Sequence, residues 1–352
     1  MVGPDGVLPL PWLGDWLDHA LRTQRGHAVL IHGPQGIGQW QLSITLAQAW
    51  LCDEAQGRKP PCGHCASCRL VQARSHPDLL VLVPEALQAS LGWQTTEGDA
   101  EPGEGASKKQ PSKEIKVDAV RSAVAFAQTT PARSAGKVVV MHPAERMNGI
   151  AANALLKTLE EPAGASRFVL SCASPESLLP TIRSRCQALS LELPEATAAA
   201  QWLAGQGVAR AEVLLAASGG QPLDALEWAR EGLDAQRWLQ MPAAMKRGDA
   251  TVLTGWSVVR VVDALQKLCH DVASATLGGA PRYFPADAVP TQPDLARLSG
   301  WSRDLARAAR QAEHPLNAGL MIETLVTQAS QALSAAVPAG PGRRGVSVHS
   351  TA

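Results

Sequence analysis

The 352-residue sequence has no excess of either charge, with 32 Lys and Arg against 32 Asp and Glu. Phosphate contacts are made by Lys and Arg, so a chain that gripped DNA alone would show a basic surplus. Any DNA contact is therefore expected to be shared with partners. No apolar run approaches the ~18 residues that a membrane span requires. The opening stretch, MVGPDGVLPLPW, has no basic segment leading into an apolar one. The expectation is a soluble, cytoplasmic protein. There, seven cysteines point to a metal or free thiols over disulfides. A chain of this length should hold two or three domains with cores of their own.

Two chemical groups are missing from a place otherwise built for them. Residues 33–40 read Gly-Pro-Gln-Gly-Ile-Gly-Gln-Trp, the glycine spacing of a phosphate-binding loop, G-x-x-x-x-G-K-[ST]. Such a loop wraps phosphates with backbone N–H groups, holds them with its Lys, and ligates Mg²⁺ through its hydroxyl. Gly33, Gly36 and Gly38 are kept, whereas Gln39 stands for the Lys and Trp40 for the hydroxyl. Neither can do the missing work. Any Gly-rich turn could show three such glycines, but the surroundings are specific. The apolar run His27–His32 reads as a buried strand, and Leu42, Leu46 and Ala49 follow at helical spacing.

A second nucleotide motif is emptied in the same way. After the strand at 137–141, an active ATPase would carry Asp for Mg²⁺ and Glu to activate water. This chain has His142 and Pro143, and only Glu145, displaced by two positions, is acidic nearby. Losses at two separate sites argue against hydrolysis more strongly than either alone.

Cys52, Cys62, Cys65 and Cys68 give C-x9-C-x2-C-x2-C, a spacing that can gather four thiolates around one metal. Four soft ligands favour zinc and leave no open position, which makes the site structural. Unligated thiols and an iron–sulfur cluster are the chemical rivals. His64 sits inside the set but fits poorly as an adjacent ligand, and is read as a surface residue.

Strand-like runs at 27–32, 79–83, 138–141 and 168–172 alternate with helical segments and stop near residue 190. Beyond that the period is helical, with Val258, Val262, Leu265 and Cys269 on one face and Trp301, Leu305 and Ala308 on another. Residues 88–114 are nearly devoid of apolar residues and read as a disordered surface insertion. The Gly/Pro-rich tail at 337–352 is expected to lack a fixed fold. A helix over 151–161, with Ala151, Leu155, Thr158 and Leu159 on one face, should stop at Pro162.

NALLKTLEEP at 153–162, the strand after it and SRC at 184–186 resemble the clamp-loader branch of the AAA+ ATPases. The cysteine module after the loop helix, HPD at 76–78 and HPLNAGLMIETL at 314–325 fit that resemblance. It implies an α/β, AAA+-like P-loop domain over 1–188 with a zinc module at 52–68. A small helical lid would follow at 189–240, and a helical collar for oligomerisation at 241–336. It implies a role for Arg185 as an arginine finger, reaching in trans to the nucleotide of a neighbouring subunit. Leu223 stands where hydrolysing members carry an Arg before Asp-Ala-Leu, and the polar phosphate sensor is missing near Cys172–Ala173. The emptied motifs select a member without ATPase activity of its own. Its implied partners are gamma/tau-like ATPase subunits, a delta-like clamp-opening subunit and, through the complex, the sliding clamp and primer-template DNA. A DNA-directed DNA polymerase, nucleotidyltransferase classification would reach such a chain only by association. Two rivals are an NTPase with unorthodox residues and a nucleic-acid binder using the zinc module; the neutral charge and lack of basic–aromatic interleaving around Cys62–Cys68 disfavour the second.

Overall fold

The computed structural model describes residues 1–54, 60–93, 111–133, 136–290, 294–312 and 317–334, which form two compact units. The first takes in residues 1–207 and 220–226. Its centre is a sheet of β1 (Ala28–His32), β2 (Leu79–Leu82), β3 (Val138–Met141), β4 (Arg167–Cys172) and β5 (Gln187–Ser190), in the order β2-β3-β4-β1-β5. Every pairing is parallel, with Val29 opposite Val169 and Val139 opposite Phe168.

Both faces of the sheet are covered, which is why its inner strands are continuous apolar runs. Successive side chains alternate between two cores. Val29, Ile31, Val138, Val140 and Val169 point toward α1 (Leu13–Thr23) and α2 (Gln39–Leu51). Leu30, Val139, Met141, Phe168 and Leu170 point the other way, toward α5 (Val117–Gln128) and α6 (Gly149–Glu160). Short helices α3 (Ala66–Gln72) and α4 (Glu85–Gln88) flank β2, and α7 (Pro180–Arg183) precedes β5. Asn148 caps α6 by accepting the Ala151 N–H at 3.0 Å, and the expected face of Ala151, Leu155, Thr158 and Leu159 is buried.

Two features depart from the expectations. The fifth strand, β5, has no apolar run because it lies at the sheet edge, where only Leu189 is buried. Both ends of the expected 88–114 insertion are structured. Residues 88–93 and 111–114 are ordered, Trp93 is buried, and Ser112 donates its N–H to Glu85 at 3.0 Å. Residues 94–110, like the tail at 337–352, lie outside the described residues.

The HPD segment enters β2 with Asp78 fully buried. Its carboxylate accepts the N–H groups of Ala132 and Arg133, both at 2.8 Å, and the Lys137 ammonium at 3.2 Å. These contacts fix the turn that leads into β3.

After α8 (Ala196–Gly205), the second unit comprises residues 208–219 and 227–352, and its described part is helical. Helix α9 (Ala211–Ala217) opens it, and α10 (Pro222–Arg230) runs across the division. Then come α11 (Ala235–Arg247), α12 (Val258–Thr276), α13 (Leu295–Ala309) and α14 (Ala318–Leu333). The expected faces of α12 and α13 are core, except that Ala308 is only half-buried. Trp238 is fully buried and stacks on Phe284 at 4.6 Å between ring centres. Beside it, buried Asp271 accepts the N–H groups of Arg282, Tyr283 and Phe284 at 2.9, 2.7 and 2.8 Å. No helix of the described residues is long and apolar enough to cross a membrane.

Candidate functional site

The loop from β1 to α2 keeps the shape of a phosphate cradle, yet this chain's own side chains occupy it. A Cβ on Gly33 would lie 2.4 Å from the Leu191 carbonyl oxygen, so only glycine allows that approach. Gly36 has φ +74°, and a Cβ there would lie 2.3 Å from an Asp224 carboxylate oxygen. Asp224 comes from the first turn of α10, where Leu223 also donates its N–H to the Gly36 carbonyl at 3.0 Å. The side chain of Leu223 packs into the α1/α2 core.

Gln39 turns inward. Its amide donates to the carbonyl oxygens of Gly33, at 2.7 Å, and Pro34. It thus draws the loop closed upon itself, where a lysine would reach out to phosphate. Trp40 lies 5.4 Å from the His142 ring and 5.8 Å from Trp93, edge-on to the latter. Burial lowers the His142 pKa to about 4, leaving a neutral imidazole whose Nδ1 is 2.9 Å from the Ser171 hydroxyl. Glu145, the displaced acid, accepts the Ala173 N–H at 2.9 Å. It braces the end of β4, where Cys172 is buried and its thiol pushed up to about 12.

The four cysteines come together as their spacing implies. Their sulfurs all lie within 4.8 Å of one another, with Cys52–Cys65 and Cys62–Cys68 both at 3.9 Å. Tetrahedral coordination at ~2.3 Å per bond puts sulfurs ~3.8 Å apart, so the set fits a metal ion. The backbone prepares it: Cys65 and Cys68 donate N–H groups to the sulfurs of Cys62 and Cys65, each at 3.3 Å. Burial opposes ionisation of Cys62, but the backbone N–H groups of His64 and Cys65 outweigh it and bring the thiol down to about 7. Burial pushes Cys52 and Cys68 up, which a cation among the sulfurs would reverse. His64 stays outside the sulfur set, its Nδ1 2.8 Å from the Cys62 carbonyl oxygen and its Nε2 3.4 Å from Glu54. Asp53 braces the module, accepting from Ser67 N at 3.0 Å and Ser67 Oγ at 2.7 Å, and pairs at the surface with Arg133 at 3.3 Å.

Arg185 follows α7 with its side chain 29% exposed. A finger that reaches in trans would be expected to lack a carboxylate partner within its own chain, and Arg185 has one. Its Nε donates to Glu160 Oε1 at 2.7 Å, its Nη2 donates to the same oxygen, and its Nη1 donates to the Thr181 carbonyl at 2.8 Å. Cys186 beside it is half-buried against the α5/α6 core, its thiol pushed up to about 12 by desolvation, which suits packing. Glu160 and Asp224 were both missed as site residues. Each stands in a quoted stretch, LEEP and Asp-Ala-Leu, but neither shows its partner locally.

Residues 14–195 match the family model described as DNA polymerase III, delta subunit. Subunit delta′ of DNA polymerase III from Pseudomonas aeruginosa is 38% identical over 226 residues, 63% of this chain and 61% of that protein. The Escherichia coli subunit delta′ is 34% identical over 288 residues, 76% of this chain and 78% of that one. The chain thus spans about three-fifths of the first relative's length and nearly four-fifths of the second's. Among solved structures, a gamma-subunit-related protein of DNA polymerase III from Thermotoga maritima superposes with a TM-score of 0.50 at 17% identity. That match covers 91% of this chain and 99% of that one, and it establishes likeness of fold alone.

Proposed function

Because the chain belongs to the DNA polymerase III delta-subunit family, we propose that it is a non-hydrolysing clamp-loader subunit of the delta′ kind. It joins gamma/tau-like ATPase subunits and a delta-like clamp-opening subunit, and the assembly loads the sliding clamp on primed DNA. Residues 189–240 act as the lid and 241–336 as the collar through which the subunits associate. Cys52, Cys62, Cys65 and Cys68 hold a zinc ion, which supplies rigidity rather than chemistry, since four thiolates leave no place for substrate.

The observation that carries this reading is the self-filled loop. An amide replaces the phosphate-gripping cation and closes the loop on its own carbonyls, and a carboxylate sits against the central glycine. Such a loop holds its shape without nucleotide. The active chemistry of this chain is then exported through Arg185, whose guanidinium stabilises phosphoryl charge on a neighbour's ATP.

Assembly of the chain with candidate ATPase and clamp-opening subunits, followed by mass, tests the partnership. Arg185→Ala should assemble normally, because a half-buried side chain outside the hydrophobic cores is cheap to truncate. Clamp-stimulated ATP hydrolysis by the complex should fall, an arginine finger being worth about 10³–10⁵ in rate at its own site. Subunit boundaries with other fingers make the fall partial, and Arg185→Lys should rescue poorly. Unchanged hydrolysis and loading with Arg185→Ala would remove the trans role. Turnover by the isolated chain at about 1–100 s⁻¹, as in kinases, would overturn the whole reading.

A further inference from the structure

We infer that Glu160 is a stand-in for the neighbour's phosphate: it holds the phosphate-facing edge of Arg185 in the free subunit and yields it on assembly. This rests on the trans role proposed for Arg185.

A guanidinium recognises phosphate through a planar edge that offers parallel N–H groups. In Arg185 the Nε/Nη2 edge is taken, because both nitrogens donate to one oxygen of Glu160. The opposite end is tethered, with Nη1 donating to Thr181 O at 2.8 Å. The guanidinium is thus held by a backbone carbonyl on one side and presented to an acid on the other.

Glu160 is not placed for the benefit of its helix. It is the last residue of α6, where the partial negative charge of the helix end disfavours a carboxylate. Its neighbour Glu161 adds a second acid at the same end. What the position does supply is an anion within reach of Arg185. Both partners also keep access to solvent, the side chains being 29% and 47% exposed. An exposed ion pair is weak, so a phosphate carrying more charge, in a boundary drier than this surface, can displace it. The exchange swaps one acceptor for another and leaves no buried donor unpaired, which keeps the arginine ordered in both states. Glu160 is therefore a positioning residue that also competes.

The test uses complexes reconstituted with wild-type chain, Glu160→Gln, Glu160→Ala and Arg185→Ala, each checked for assembly by mass. The readout is clamp-stimulated ATP hydrolysis as a function of ATP concentration. Glu160→Gln keeps the size of the side chain and removes its charge. It should lower the half-saturating ATP concentration by up to about fivefold, the upper end for an exposed pair, without lowering the maximal rate. Glu160→Ala should do the same, and it reads the effect alone if the amide re-forms the contact. A half-saturating concentration equal to wild type in both Glu160 variants, alongside a loss of rate in Arg185→Ala, would overturn the stand-in while leaving the finger intact. A fall in maximal rate in both would make Glu160 a plain support and overturn it as well. No loss of rate in Arg185→Ala would instead bring down the trans role itself.

Discussion

The carboxylate of Asp224, with Leu223 before it in place of an arginine, should oppose nucleotide binding to this loop. A Cβ built on Gly36 would lie 2.3 Å from its oxygen, so the acid lies against the central glycine of the loop. A phosphate charge ~4 Å from that carboxylate would stand at an ordinary contact separation for two charges. At an effective dielectric of ~20, two like charges at that distance repel by about 4 kcal/mol. That corresponds to roughly a thousandfold in affinity per unit charge. It is an upper figure, since the side chain can swing aside at the expense of its contacts. Gln39→Lys alone should therefore restore little, because the carboxylate would remain against the loop. Gln39→Lys combined with Asp224→Asn should bind MgATP measurably, by calorimetry or by a fluorescent nucleotide. Hydrolysis should still be absent, as His142 and Pro143 supply neither metal ligand nor base. Equal affinity in the single and double variants would refute the argument, and tight binding by the wild-type chain would refute it outright.

Purified protein should carry about one zinc per chain by elemental analysis, and Cys65→Ser should release it and lower the melting temperature, because metal binding here is coupled to folding. A metal-free preparation that melts unchanged would contradict the zinc assignment. Asp78→Ala should cost about 3–5 kcal/mol in urea unfolding, since it strands the buried Lys137 ammonium and two backbone N–H groups; a loss under 1 kcal/mol would show that water replaces the carboxylate. Burial alone would raise the Asp78 pKa, but the Ala132 and Arg133 N–H groups and the Lys137 ammonium together hold it below its ordinary 3.8. Its contribution should thus be complete above pH ~4 and be lost as pH falls through the depressed value. The gap in stability between wild type and Asp78→Ala should narrow over that same acid range.

Much of the first unit could be read from residue order. The inner strands carry mainly apolar runs because both of their faces are covered, and four cysteines at fixed spacing carry their geometry with them. Where burial is one-sided the reading failed. β5 contributes only Leu189 to the core, and its other residues face out, so no run marks it. Trp93 was lost in a polar stretch because a single aromatic gives no period, though Arg74 covers it and Trp40 packs against it. The emptied loop was visible as missing groups, but what fills it was not. Gln39 reaches back to Gly33, which is local, whereas Asp224 arrives from α10 and Leu191 from beyond β5. Glu160 and Arg185 belong to separate elements, α6 and the turn after α7. Pairings of that kind are set by the packing of the sheet and leave no trace in spacing.

The bond from Leu223 N–H to the Gly36 carbonyl, with Asp224 beside it, has a further consequence in terms of occupancy. In a loop that takes nucleotide, the occupant comes from solution, and its presence tracks the supply of ATP. Here the occupant is tethered through the chain. A tethered group faces its site at an effective concentration that tether geometry alone decides. Dilution cannot deplete it, and no turnover consumes it. A ligand that meets both states of a protein equally shifts neither, and an occupant that never leaves has only one state to meet. The first turn of α10 therefore rests on the loop whatever the supply of nucleotide, and the loop keeps one internal setting.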